Sequence, residues 1–383
     1  MVSQWQLLKK DRWLLSCLTW IPIVLVITIW WVFSQAIVRE LPIGIVDLSH
    51  SQLSRKLTTE FDATSTLSVS GHYQNVAQAS EAMRISDIYA YVVIPRNFDK
   101  SIYRSEQPKV TTFYNSQMIL VGRLINSAIV QAQSTFNAQL DVVKTLSGGN
   151  TTALTAMSQA APIRTQVTPL FNKNTNYAQF LVSAIVPAIW QISIVVCTIL
   201  ILAMNHRQYG LNRWLTQRPI KKLIHTLTPY AALFALQGTA FLVWFYLLLQ
   251  WPMQGQFFTI IVAQWFTIIA CMIMGGLFFF LTLDPARGMS FAAAYTAPSF
   301  AFMGITFPTS DMNTLAQIWR SLLPVSHYID IQVSQVSYGV NSFDSFKLLW
   351  PMFGYSVPFV LCVLLIKKHL AAELSNRGDH ELA

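Results

Sequence analysis

The side chains that could do chemistry in this 383-residue chain are histidines, cysteines and a few amides and arginines beside apolar runs. The four cysteines lie far apart inside those runs, and the seven histidines are scattered. Neither type has the spacing of a metal site or of a nucleophile with its base. The chain also contains no Gly-Lys pair of a phosphate-binding loop, no GxSxG and no HExxH. We therefore predict no catalytic residue, no metal site and no cofactor in this chain.

Neutral amides are the polar groups inside the apolar runs, at Gln191, Gln237 and Gln264. No run carries an Asp, Glu, Lys or Arg in its interior, whereas ion-coupled transporters place ionisable groups there to hold the ion. Such glutamines either form hydrogen bonds between helices or line a transport path. If the chain transports a solute, the energy must come from another subunit.

A basic amphipathic segment, 205–222, follows the second apolar run. Leu211, Trp214 and Leu215 are spaced as one face of a short helix that ends before Pro219, and Arg207, Arg213 and Arg218 project elsewhere. This pattern is typical of a helix on the cytoplasmic membrane surface. It is either a simple basic anchor or a docking site for a cytoplasmic partner.

The elements that must position these side chains are mostly membrane helices. Apolar residues make up 53% of the chain and charged residues 11%, against about 25% charged in soluble domains. This composition excludes a soluble enzyme, a disordered chain and a disulfide-rich secreted module. The net charge of +9 lies beside the apolar runs, without a basic patch interleaved with aromatics, so we expect no nucleic-acid partner. Six apolar runs approach the roughly 20 residues of a membrane span, at 14–38, 178–204, 225–250, 257–283, 289–306 and 348–366.

These runs predict a polytopic α-helical membrane protein with six transmembrane helices. An α/β domain over 39–176 is inserted between the first and second spans, with strands at 41–47, 65–73, 88–94 and 109–115 and a long helix at 117–146. The other predicted parts are an interfacial helix 1–14, a first span 15–38, a five-span domain 177–366 with cytoplasmic loop 205–224, an outer re-entrant segment 307–347, and a tail 367–383.

Basic residues in the short loops predict the orientation. They concentrate in 1–14, 205–224, 284–288 and the tail, whereas 251–256 has none. Both termini and loop 205–224 are therefore expected in the cytoplasm. The domain 39–176 is then extracytoplasmic.

Several motifs, in this order and spacing, resemble a type-2 ABC transporter permease of the exporter type with a large extracytoplasmic domain. The resemblance covers nearly the whole chain. It rests on LPIGIVDLSHSQLSRKL after the first span, VVIPRNF (92–98), Phe171-Asn172 with Tyr177, HRQYGLNRWL (206–215), ITFPTSDM (305–312) and LLPVSHYID (322–330). Family members usually carry acidic residues just before Gly210 and a Thr after it, where this chain has Gln208, Tyr209 and Leu211.

The resemblance implies a permease subunit of an ATP-driven ABC exporter in the bacterial inner membrane, with ATP bound by a separate cytoplasmic ATPase rather than by this chain. Two permeases, identical or different, would pair around a central path, and a periplasmic adaptor is a further expected partner. The implied ATPase-coupling residues are Arg207, Gly210, Leu211, Arg213, Trp214 and Arg218.

A second hypothesis is a non-transporting receptor or assembly scaffold whose outer domain binds a ligand or a periplasmic partner. One span would suffice for anchoring, so five more spans with prolines at 187, 298 and 358 favour the permease.

Overall fold

The structure is a computed structural model that describes residues 4–34, 39–104, 106–147, 152, 155, 157, 176–215 and 218–381. The chain divides into two compact units, one of residues 37–168 and one of residues 1–36 with 169–383. The sequence also predicts an extended strand, TQVTPLFN (165–172), and an end of the long helix at Gly148-Gly149-Asn150. Both lie outside the described residues.

The unit of residues 37–168 contains a four-stranded sheet with the order β2-β1-β3-β4. Its strands are β1 (Leu41–Asp47), β2 (Leu67–His72), β3 (Ala90–Ile94) and β4 (Thr111–Tyr114). β1 runs parallel to both β2 and β3, whereas β4 is antiparallel to β3. Because parallel strands need crossover connections, a helix follows each of β1 and β2.

The helices of this unit cover both faces of the sheet. They are α4 (Gln52–Asp62), α5 (Val76–Arg84), α6 (Phe98–Tyr103) and α7 (Ile119–Ser147). Apolar residues of α4, α6 and α7 share one buried cluster with Ile43 and Ile45, and α5 packs with Val46 in another. Covering on both sides explains the near-continuous apolar sequence of β1. A capping box between Ser51 and Ser54 fixes the start of α4.

The second unit is helical. It begins with α1 (Gln4–Lys10), α2 (Arg12–Leu18) and α3 (Trp20–Val32), and continues with α8 (Tyr177–Leu215), α9 (Pro219–Val243), α10 (Phe257–Thr282), α11 (Pro285–Thr296) and α12 (Ser299–Phe302). A π-helix, Trp244–Leu248, extends α9. The remaining α-helices are α13 (Thr314–Ser321), α14 (Pro324–Val336), α15 (Ser342–Lys347) and α16 (Ser356–Glu381).

Among the described residues, four helical segments are long and apolar enough to cross a membrane, and five if the bent pair α2–α3 counts as one span. The four are Ala178–Leu215, Pro219–Leu248, Phe257–Thr282 and Ser342–Glu373. The fifth of the six expected spans, 289–306, is not among them. It forms α11, about 18 Å long at 1.5 Å per residue, and the four-residue α12 beyond Pro298.

The segment 307–347 consists of short helices rather than one long one. The longest of them is α14, whose 13 residues are mostly buried. Arg320 holds Asp330 through contacts of 2.6 and 2.7 Å from Nη2 to the two carboxylate oxygens. Burial lowers the pKa of His327. Its imidazole Nε2 lies 3.0 Å from the Ser321 carbonyl oxygen and donates to it.

Candidate functional site

The segment predicted to meet a partner lies at the end of α8, where Gly210 breaks the helix. Gly210 has φ 68° and ψ 161°, a region that residues with a Cβ essentially do not occupy. The 39 residues of α8 would span about 58 Å as a straight helix, well beyond a hydrocarbon core of about 30 Å. Because the dihedral angles of Gly210 are not helical, residues 211–215 continue in a new direction. We call residues 211–215 the elbow.

The apolar side chains of the elbow face inward. Leu211, Trp214 and Leu215 are buried in the core of the helical unit. Trp214 also donates its indole N–H to the Thr226 hydroxyl oxygen of α9 at 3.2 Å. The predicted apolar face is thus present and is occupied by this chain. Leu211 and Trp214 hold the elbow in place and do not offer their side chains to another protein.

The arginines of the segment face solvent. Arg207, Arg213 and Arg218 are all exposed, so they are the predicted coupling residues whose side chains are accessible. The Arg207 guanidinium lies 3.7 Å from the Asp11 carboxylate, and its side chain is 67% exposed. A pair that exposed contributes less than about 1 kcal/mol, so Arg207 remains available for other contacts.

The amino-terminal helix is bonded to the same region, which the sequence interpretation missed. Gln4 and Asn205 exchange amide hydrogen bonds of 2.9 and 3.2 Å, and the Tyr230 hydroxyl donates to Gln4 Oε1 at 3.4 Å. Leu7 and Leu8 of the same helix are buried in the core of the helical unit. We call this contact the amino-terminal clamp. An available signal was Asn205 itself, an amide at the end of an apolar run.

Gln191 connects three helices in the interior. Its Nε2 donates to the Ser299 hydroxyl oxygen at 2.9 Å, and its Oε1 accepts the Val325 backbone N–H at 2.8 Å. Val325 lies in the first turn of α14, where backbone N–H groups have no helical partner. Gln191 therefore caps α14 from α8, which matches the interhelical alternative for this residue.

Gln237 bonds to a carbonyl that a proline leaves free. Its Nε2 donates to the Leu18 carbonyl oxygen at 2.6 Å. In a continuous helix that oxygen would accept the N–H of residue 22, but residue 22 is proline.

The same arrangement recurs in α8, where Pro187 leaves the Ser183 carbonyl without its helical donor. There Gln332, which the sequence interpretation did not single out, donates from Nε2 at 2.8 Å. A proline inside an apolar run was the signal for both.

Gln264 lies in a layer of polar atoms with incomplete hydrogen bonding. Its Nε2 donates to the Tyr328 hydroxyl at 3.3 Å. A Cβ on Gly238 would lie 2.8 Å from a Trp190 ring carbon and 2.9 Å from Gln264 Cδ, so α8, α9 and α10 approach closely here. Trp190 Nε1, Gln237 Oε1 and Gln264 Oε1 have no partner among the described residues. Unpaired groups in a membrane interior are costly, and water or a polar solute would satisfy them.

The cysteines and metal-binding residue types form no site in the described part of the chain. No group of three or more His, Cys, Asp or Glu residues there could hold a metal ion. Cys17, Cys197, Cys271 and Cys362 are free thiols, and the last three are buried.

Comparison with known proteins gave one match. The family model described as "ABC-2 family transporter protein" matches residues 12–366. No curated protein and no solved structure was found to match the chain. Permeases of this family are membrane components without a nucleotide-binding domain of their own, and they associate with an ATPase subunit. Because the match runs from the first apolar segment to the last, this multi-pass membrane protein belongs to the ABC-2 transporter family.

Proposed function

We propose that the chain is the permease subunit of an ATP-driven exporter and that segment 205–222 docks a separate cytoplasmic ATPase. The observation that carries this proposal is the elbow after Gly210, whose apolar side chains are buried while Arg213 is exposed. A docking element must transmit force, so it has to be fixed to the helices that move. The buried Trp214 and its bond to Thr226 supply that fixation.

The proposed topology has six crossings, with both termini in the cytoplasm of a bacterium and residues 39–176 outside. Five crossings are the bent pair α2–α3, α8, α9, α10 and α16. In this proposal α11 and α12 complete a sixth, broken at Pro298. The distribution of Lys and Arg supports it, because segment 205–224 contains five basic residues and 251–256 contains none.

In the working assembly, two such subunits pair around a translocation path and a periplasmic adaptor contacts the outer domain. Gln191, Gln237 and Gln264 remain candidates for the path. Gln237 and Gln264 are the stronger two, because the Oε1 of each is unpaired among the described residues, whereas both amide groups of Gln191 are bonded. A solute carrying a polar group could replace water at these atoms.

Charge reversal at the exposed arginines tests the docking proposal. We expect Arg213→Glu with Arg218→Glu to abolish co-purification of a vanadate-sensitive ATPase and stimulation of its activity. The new carboxylates would repel the part of the ATPase surface that the two guanidinium groups attract. The matched control is Lys367→Glu with Lys368→Glu, an equal charge change at exposed residues of α16. Trp214→Ala is unsuitable here, because it would disturb a buried contact.

Three outcomes are informative. Loss of the ATPase in the arginine variant alone supports docking through this segment. Equal loss in both variants would mean that general charge, and not the segment, attracts the ATPase. If wild-type protein purified from its native membrane carries no ATPase at all, the receptor or scaffold hypothesis replaces the permease. The missing acidic residues before Gly210 would then explain why no ATPase binds.

A further inference from the structure

A basic cavity lies at the sheet of the unit of residues 37–168. It has a volume of about 470 Å³ and is lined by Asp47, His50, Arg55, Thr59, His72 and Tyr73, among others. That volume falls within the roughly 300–1,000 Å³ of small-molecule sites. Asp47 and His72 end the neighbouring parallel strands β1 and β2. Open α/β sheets bind ligands at the carboxyl ends of their parallel strands.

The carboxylate of Asp47, the acidic residue of the cavity, already accepts hydrogen bonds from the protein. Asp47 Oδ1 accepts the backbone N–H groups of Ser49 and His50 at 2.9 and 3.0 Å. Its Oδ2 accepts the Ser54 hydroxyl at 2.6 Å. Three hydrogen bonds satisfy most of the capacity of the carboxylate, so Asp47 orders the loop. The groups left facing the cavity are predominantly basic.

Arg55 is held at the cavity with most of its donors free. Its Nη1 donates to the His50 carbonyl oxygen at 3.3 Å, which uses one of the five N–H groups of a guanidinium. His50 itself adopts a left-handed backbone conformation with φ 49°. A non-glycine residue in that region is uncommon and is held there by its surroundings. Here the bonds from Asp47 and Arg55 on either side of His50 hold it.

The number of donors indicates the kind of anion. Arg55, His50, His72 and Tyr73 line one cavity, and each can donate to an oxygen atom. A carboxylate offers two oxygens, whereas a phosphate monoester offers three non-bridging oxygens and about two negative charges. The fork of an arginine also matches phosphate in a bidentate manner. Four donors and three basic groups fit the phosphate better.

We propose that this cavity binds the phosphate group of a phosphate monoester, with Arg55 as the principal contact and His50, His72 and Tyr73 around it. The ligand is either a soluble phosphate ester or a lipid headgroup that ends in a phosphate monoester. This proposal is independent of transport and of the ATPase.

Calorimetric titration of the full chain in phosphatidylcholine nanodiscs with glycerol 3-phosphate tests the proposal. We expect saturable binding that weakens at least about tenfold in Arg55→Ala, the effect of losing a charge-assisted hydrogen bond. The matched control is Lys56→Ala, because Lys56 is the next residue of α4, exposed, and does not line the cavity. We expect that control to change the affinity less than about twofold, as a general charge effect.

His72→Gln provides a second variant that does not depend on Arg55, and we expect it to weaken binding as well. Unchanged thermal unfolding of both variants shows that they fold. Absence of saturable binding in the wild type would overturn the proposal, and so would equal loss in Lys56→Ala. Succinate that binds as tightly as glycerol 3-phosphate would overturn the assignment to phosphate.

The same titration identifies the source of the ligand. Nanodiscs that contain phosphatidic acid should reduce the apparent affinity for glycerol 3-phosphate if a lipid headgroup occupies the cavity. Unaltered affinity in those nanodiscs assigns the site to a soluble ester. Either result is consistent with a phosphate site.

Discussion

At the scale of single residues, the backbone of Gly210 determines where α8 breaks. No heavy atom lies within 4 Å of a Cβ built on this glycine, so space does not require glycine here. The requirement comes from the dihedral angles, which bring a side chain into conflict with its own backbone. A sequence does not show whether a glycine is required because a Cβ would clash with neighbouring atoms or because the backbone has a positive φ. The break at Gly210 was therefore not predicted.

Gly210→Ala tests that reasoning. We expect a loss of about 1–3 kcal/mol in the free energy of unfolding, or a displaced elbow and a loss of ATPase stimulation. The matched control is Gly354→Ala, because a Cβ there also meets nothing within 4 Å and Gly354 has no positive φ. Thermal unfolding in detergent compares the two. Equal stability of both variants would show that α8 tolerates an alanine at its break.

At the scale of elements, two glutamines complete helices that contain prolines. The sequence shows Pro22 and Pro187 inside apolar runs, and it shows amide side chains elsewhere. It does not show which amide serves which carbonyl, because Gln332 and Ser183 are 149 residues apart. Sequence periodicity finds the faces of one helix, whereas such pairs depend on how distant helices pack.

A double-mutant cycle on Pro187 and Gln332 measures this compensation. Gln332→Ala leaves the Ser183 carbonyl unsatisfied in the wild-type background, so we expect a loss of about 1–3 kcal/mol. In a Pro187→Ala background the restored N–H can donate to that carbonyl, and the loss should shrink by about 0.5 kcal/mol or more. Chemical denaturation in detergent gives the four free energies of unfolding. Additive effects of the two substitutions would show that Gln332 acts elsewhere.

The strands and helices of the α/β sequence were more predictable than the membrane segments. The expected strand at 41–47 coincides with β1, and the expected helix at 117–146 with α7, to within two residues. A short apolar run and a helical spacing of apolar residues are local signals, so they can be read from the sequence. The run 289–306 looked like a span by its length and apolar content. Its helices are short because Pro298 and small polar residues interrupt it.

At the scale of the whole molecule, the number of crossings decides the proposed orientation. Six crossings place both termini on one side, whereas five would separate them. The same count decides on which side the segment 307–347 lies, because that segment follows the crossing proposed for α11 and α12. The side of the elbow does not depend on this count, because the elbow follows the second crossing and therefore lies on the same side as the amino terminus.

Single cysteines in a Cys17→Ser background test the orientation, because the other native cysteines are buried. We expect a membrane-impermeant maleimide added outside to label Ser127→Cys and Ser310→Cys. Ala286→Cys and Ala371→Cys should react only after the membrane is opened. All four positions are exposed. If Ser310→Cys also reacts only after the membrane is opened, as Ala286→Cys does, residues 285–306 do not cross. The count of crossings is then five.

The amino-terminal clamp also constrains the order of events during biosynthesis. Gln4 leaves the ribosome early, yet its partners Asn205 and Tyr230 follow 201 and 226 residues later. At about 5–20 residues per second, α1 waits roughly 10–45 seconds before Tyr230 has been made. During that interval Leu7 and Leu8 lack their final cover, and an amphipathic helix can rest on the membrane surface meanwhile. The bundle therefore closes around its first helix only after its third apolar segment has been inserted.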